Sequence, residues 1–411
     1  MEFKQTQLDN GLMIIGEISE HARSVALGFF VRTGARDETA EIAGVSHFLE
    51  HMLFKGTDKR SALEVNLEFD EMGAKYNAFT SEENTVYFAA VLPEYQQRVL
   101  ALWADLMRPA LRDEDFNVEK GVILEEIAMY KDLPHFDIID DARKLHFGDH
   151  CCGQSVLGGN ESITALTAEQ MREYFNRRYA PDNMVLSCTG RLDWPSLMAQ
   201  ARELCGDWRP AQPQRELSSA CGSGKTHVRH DPKLQRQHLC LVCSAPSEQD
   251  KLRYAANILS YILGDNSGSR LYWALIDTAL ADSADMDYDS MDGTGAYYTY
   301  VSCDPEQTVR VLETIRRLYA EVVKNGVSEQ ELEAAKNKIA SRATLHGELP
   351  MGRLVPLGFG WVYRREYRPL SDEIAAIRAV TVADIAHLFE AYPLSPLTIH
   401  CLLYTSDAAD E

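Results

Sequence analysis

The chain has 411 residues, 45% hydrophobic and 25% charged, with a formal net charge of −21. The length suits two ordinary domains and the composition a globular chain. The acidic balance argues against binding to nucleic acid or anionic membranes, which relies on basic patches.

No apolar run is long enough to span a membrane, and Met1-Glu2-Phe3-Lys4-Gln5-Thr6-Gln7 leads into no signal-like apolar stretch. The nine cysteines are scattered. Cys240 and Cys243 have C-x-x-C spacing but fall in a strand-like run, so reduced thiols of a cytoplasmic protein are expected.

In chain order, an apolar strand is expected over 25–33 and an amphipathic helix over 43–54. A β-rich run follows at 84–92, then helical patterns at 94–107 and 117–131. Residues 209–226 read as a linker, rich in Pro, Ser and Gly. The order then recurs: strand 239–244, helix 252–263, β-rich run 295–302, helices 305–324 and 329–346, and a final strand 397–403. Residues 404–411 continue no pattern and read as a disordered tail or a stretch foreign to the gene. The expected domains are 1–208 and 227–403.

The halves read as copies. An offset of 210 lays Phe48/Leu49 on Ile258/Leu259, Met52/Leu53 on Ile262/Leu263, and Val86-Tyr87-Phe88 on Ala296-Tyr297-Tyr298. One offset held over that distance points to an internal duplication. Strands and long helices in each half predict an α+β fold of two homologous sandwich domains.

The chemistry concentrates in His47-Phe48-Leu49-Glu50-His51. Histidines four apart share one helix face, and the glutamate three residues after the first shares it too. Two imidazoles and a carboxylate aimed at one point suit a zinc ion and a general base, in the H-x-x-E-H order of inverzincins. A catalytic zinc needs a third protein ligand. Glu119 and Glu126, seven apart, lie along one face of a helix beside Val122 and Ile123, where carboxylates need compensation. At offset 210 the second half has Asn257, Ser260 and Tyr261 in place of His47, Glu50 and His51.

Four stretches carry a resemblance: Gly44 to Thr57, Asn77 to Tyr87, Glu119 to Ile127, and Tyr179-Ala180-Pro181-Asp182-Asn183-Met184-Val185-Leu186. Together they resemble the pitrilysin/insulinase family of zinc metallopeptidases, in its two-domain, processing-peptidase-like form. The resemblance implies one zinc per chain on His47, His51 and Glu126, with Glu50 as general base and Glu119 in support. Glu125 stays open as a neighbour, though the seven-residue spacing favours Glu126. It also implies that Asn77, Ala78, Phe79 and Thr80 bind the substrate backbone.

One departure stands out. Counting on from the family's Ser-Arg-Leu turn, here Ser269-Arg270-Leu271, the expected arginine and tyrosine fall on Ile276 and Ser283. Tyr288, Tyr297 or Arg270 are the nearest substitutes. The resemblance implies a homodimer or a heterodimer, and only a heterologous partner brings that pair. Gly222-Ser223-Gly224-Lys225-Thr226 is similar to the end of a phosphate loop, but residue 219 is serine where glycine is required, and nucleotide binding is not expected. The function expected is a zinc endopeptidase acting on peptides or unfolded segments. The alternative is a non-catalytic structural or assembly subunit of a peptidase-like complex.

Overall fold

Residues 25–31 are apolar or glycine throughout, and all seven are buried, as in a central strand covered on both faces. A computed structural model of the chain describes residues 1–215, 217–218 and 220–403. The expected tail, 404–411, lies outside the described residues.

The first half contains strands β1 (Glu2–Gln7), β2 (Met13–Ile18) and β3 (Val25–Val31), helices α1 (Val45–Leu53) and α2 (Ala62–Glu71), and strands β4 (Lys75–Thr80) and β5 (Thr85–Val91). Helices α3 (Gln96–Leu106), α4 (Asp113–Lys131), α5 (Pro134–Phe147), α6 (Asn160–Ala165) and α7 (Ala168–Arg178) follow, then β6 (Met184–Gly190) and α8 (Trp194–Cys205). The second half contains β7 (Thr226–His230), β8 (Gln237–Ser244), α9 (Arg253–Gly264), β9 (Ser283–Ser290) and β10 (Gly295–Cys303). It continues with α10 (Thr308–Asn325), α11 (Glu329–Gly347), α12 (Pro350–Arg364), α13 (Leu370–Ala379), α14 (Val382–Ala391) and β11 (Thr398–Leu403).

Local chemistry sets several boundaries. Ser61 with Glu64, Thr167 with Gln170, and Thr381 with Asp384 form capping boxes that start α2, α7 and α14. Pro134 occupies the first turn of α5, where its missing N–H costs nothing.

The chain falls into two compact units that are not contiguous halves. Among the described residues, one comprises 1–127, 154–215 and 344–369; the other comprises 128–153, 217–343 and 370–403. The boundaries differ from the expected 1–208 and 227–403 because each sheet has two apolar faces to cover. In each unit one of those faces is covered by a helix from the other half of the sequence.

In the first unit the sheet order is β1-β2-β6-β3-β5-β4. β2 and β6 are parallel and all other neighbours antiparallel. One face carries the main core, with Phe29, Phe48, Phe69 and Trp103. On the other, Ile15, Phe30, Val86 and Val185 meet Leu354, Leu357 and Trp361 of α12. The second unit orders its strands β7-β11-β8-β10-β9, with β7 and β11 again the parallel pair. One face packs on α9 and α10. The other packs Cys240, Val242, Tyr298 and Leu402 against Ile138, Ala142 and Phe147 of α5.

Strand for strand, β7-β11-β8-β10-β9 repeats β2-β6-β3-β5-β4 in order and direction. The duplication read at offset 210 lays α1 on α9 and β5 on β10, and the fold is α+β with two like domains. Among the described residues β4 ends its sheet and pairs only with β5. Lys225 leads directly into β7 rather than a helix, so the glycine-rich segment lacks the helix N-terminus a phosphate loop needs.

Candidate metal centre

Helix α1 presents the first three residues of the site. It is entered through Gly44 at φ 93°, and a Cβ there would lie 2.5 Å from the Leu157 carbonyl oxygen. The orphan N–H groups of its first turn are met by a buried carboxylate. Gly44 N donates to Glu38 Oε2 at 2.6 Å, and Ser46 N to Glu38 Oε1 at 2.7 Å. Phe48, Leu49, Met52 and Leu53 enter the core, which leaves His47, Glu50 and His51 on the remaining face. Helix α4 is fixed against α1 by Phe116 stacked on Phe48, centroids 4.8 Å apart. That stack turns Glu119 and Glu126 toward the histidines.

His47, His51 and Glu126 each offer a ligand atom within 4.8 Å of the others. Glu126 Oε2 stands 3.7 Å from His47 Nε2 and 3.4 Å from His51 Nε2. Ligand atoms about 2.0–2.1 Å from a tetrahedral ion are themselves about 3.3 Å apart, so this donor set fits zinc. Glu125 is exposed and outside the group. Glu119 meets His51 Nδ1 at 2.9 Å and pairs with Lys55 through its other oxygen. A carboxylate on the far nitrogen of a ligating imidazole fixes its tautomer and orientation. His47 Nδ1 is buried with no hydrogen-bond partner among the described residues.

The electrostatics separate the groups. Burial, helped by the neighbouring His51, pushes the His47 pKa down to about 3, which keeps that imidazole neutral and able to ligate. Burial works the same way on His51, but the Glu119 hydrogen bond and the Glu126, Glu119 and Glu50 charges outweigh it and raise its pKa. Burial raises the pKa of Glu50, partly offset by the bond from Thr80. Burial also opposes ionisation of Glu119, but His51 and Lys55 hold its pKa below the usual value.

Of the four β4 residues read as substrate-binding, Thr80 donates to Glu50 Oε2 at 2.6 Å. Asn77 is exposed on the terminal strand, Ala78 is buried, and Phe79 lies between. In the other unit Ile276 ends a π-helical turn, Ser283 opens β9, and Arg270 is committed to Glu331 at 2.7 Å. Tyr297 is fully buried, and Tyr288 donates to the Pro246 carbonyl. Sequence reasoning missed Glu38 and Lys55, since neither lies in a spacing pattern with the ligands. A second cluster, His150, Cys151 and Cys152, also has its ligand atoms within 4.8 Å. However, His150 Nδ1 already accepts from Cys152 N, and Nε2 faces Ser218.

Comparison with known proteins addresses the family and the fold. A family model described as Insulinase (Peptidase family M16) matches residues 14–151, which contain every residue of the centre. One described as Peptidase M16 inactive domain matches 165–339, which contains the ligand-free helix α9. An uncharacterized zinc protease of Mycobacterium tuberculosis is 32% identical over 93% of this chain and 89% of its own length. The uncharacterized zinc protease YmxG of Bacillus subtilis is 32% identical over 93% of each. Among solved structures, a protease from Helicobacter pylori superposes with a TM-score of 0.91 at 19% identity, covering 98% of this chain and 99% of its own. A peptidase M16 inactive domain structure from Pseudomonas fluorescens gives 0.90 at 19%, covering 99% and 98%. Among the described residues no helix is long and apolar enough to cross a membrane. The chain belongs to the insulinase family, peptidase family M16.

Proposed function

We propose that this chain is a zinc-dependent endopeptidase that hydrolyses peptides or unfolded segments, with one zinc per chain. The observation that carries this reading is the convergence of His47, His51 and Glu126 beside Glu50. The names of the relatives, zinc proteases, support it.

Zinc held by those three side chains would supply Lewis acidity to a peptide carbonyl and lower the pKa of water. Glu50 takes the proton of the attacking water and returns it to the leaving amine. Its burial suits that task, because a carboxylate pKa raised toward neutrality makes a better base and then a better acid. Thr80 occupies Oε2 of Glu50, which leaves Oε1 for the proton. Glu119 holds the His51 ring through Nδ1. The substrate pairs as an added strand along the free edge of β4, at Asn77, Ala78, Phe79 and Thr80, where main-chain bonds bind many sequences. Ile276 and Ser283 do not provide the arginine and tyrosine that the family resemblance leads one to expect. A dimer with a related chain would bring them, in a cytoplasmic setting.

The test is the zinc content of the purified chain, with its cleavage of a mixed peptide pool. About one zinc per chain and cleavage are expected. Glu50→Gln should keep the metal and lose cleavage. A chain without metal overturns the reading. Zinc without cleavage favours the assembly-subunit alternative, unless a partner carrying the missing pair restores activity.

A further inference from the structure

A cleft of about 900 Å³ opens in the first unit between α3, α7 and the turn after α8. It shares no ligand residue with the metal centre, and its volume is in the range of small-molecule sites. Its lining is unusual for a chain of net charge −21. Four cations face it, Lys59, Arg60, Arg108 and Arg209, against two acids, Asp105 and Asp207.

The cations are not equivalent. Asp105 is spent on Arg60 at 2.7 Å and Lys59 at 3.7 Å, and Arg60 also holds Glu68. Arg108 makes no ion pair with any described residue. Its guanidinium lies 3.7 Å over the Trp208 ring, and Nη1 donates to the carbonyls of Met107 and Tyr179. Nε and Nη2 have no partner among the described residues, yet neither is a sealed, unsatisfied atom. They therefore open to the cleft as a two-donor fork, the arrangement that matches two oxygens of a carboxylate or phosphate. Burial pushes the Arg108 pKa down to about 10, with Cys205 and Asp207 only partly opposing, so the group stays charged at neutral pH while desolvated and only partly compensated. Arg209 is exposed at the rim and also lacks an ion pair among the described residues.

We propose that this cleft is a binding site for a small ligand carrying a carboxylate or phosphate group, gripped by Arg108 Nε and Nη2 on the Trp208 platform and assisted by Arg209. A bidentate oxyanion completes the compensation of the half-buried guanidinium, and the pre-stacked side chain loses little freedom on binding. The site does not depend on the metal reading.

Isothermal titration of the purified full chain with phenyl phosphate, benzoate and uncharged benzyl alcohol tests it. Saturable binding of at least one anion, and none of the alcohol, is expected, weakening as salt rises. Arg108→Gln should weaken it about tenfold or more, the usual scale for a charge-assisted bidentate pair. Binding of phenyl phosphate alone assigns a phosphoryl ligand, and binding of benzoate alone a carboxylate; both uphold the site. If neither saturates, or if Arg108→Gln binds as the wild type does, the proposal falls. The second case places the binding elsewhere on the chain. Should Arg108→Gln fail to fold, Arg209→Gln decides, because an exposed rim residue leaves folding intact. Binding weakened about threefold, at one rim charge, supports the site, and unchanged binding overturns it.

Discussion

The Thr80 hydroxyl donates to Glu50 Oε2 across 2.6 Å, joining the terminal strand β4 to the helix that carries His47 and His51, the proposed metal ligands. One residue thus touches both the proposed substrate edge and the proposed base. Thr80→Val removes the donor and keeps the shape, and should lower kcat about tenfold while zinc content is unchanged. Thr80→Ser should recover most of the loss. Steady-state kinetics with metal analysis checks this; a pure KM effect would place Thr80 in substrate binding alone.

Glu119 and Glu126 share a helix face but not a role. Glu119→Gln should weaken zinc about 10–100-fold, as is usual for the partner of a ligating imidazole. Glu126→Gln should weaken it further, and Glu125→Gln should leave it unchanged. Competition with a chelator of known affinity ranks the three. Equal losses for Glu125 and Glu126 would contradict the geometry.

Glu38, which caps the helix carrying His47 and His51, provides a pH dependence of stability. Burial, only partly opposed by the Ser46 and Gly44 N–H groups, raises its pKa from 4.5 to about 7. The folded state therefore holds this proton more tightly than the unfolded chain. Its contribution to stability is full below 4.5 and is lost as pH rises through about 7. Thermal melting at about pH 5 and about pH 8 should show the wild type losing ground to Glu38→Gln at the higher pH. No change in their difference would remove Glu38 as the source.

Arg353 of α12 grips Glu17 of β2 through two bonds, 2.9 and 2.6 Å, and both residues are buried. Arg353→Ala strands the carboxylate and should cost about 3–5 kcal/mol in urea unfolding. The double replacement Arg353→Leu with Glu17→Leu should recover much of that, since two apolar groups leave no charge unpaired. A double variant as unstable as the single one would show that the contribution of Arg353 is packing.

Local pattern was enough for α1, β3, β5, α9, β10 and the long helices, because each has a clear apolar period or run. It was enough for His47, Glu50 and His51, since a four-residue helical spacing fixes which side chains align. The offset of 210 likewise exposed the repeat without coordinates. Choosing Glu126 over Glu125 needed the family resemblance, and in the structure the Phe48–Phe116 stack turns α4 so that Glu126 faces the histidines.

Other features had no local signature. Helix α12 contains Pro356 and three glycines, which lower helix propensity. It forms because it lies directly on its sheet: a Cβ on Gly358 would fall 2.3 Å from the Phe30 ring. The exchange of α5 and α12 between sequence halves and the Thr80–Glu50 bond join residues of different elements, and the Glu38 cap, though only six to eight residues from its partners, follows no helical or strand period. The amino-acid sequence by itself determined the elements with a clear apolar period and which polar side chains share one face of α1, because those depend on spacing along one element. Only the tertiary structure decided which helix covers which sheet and how the second helix meets the first, because burial and close packing act between elements the chain brings together last.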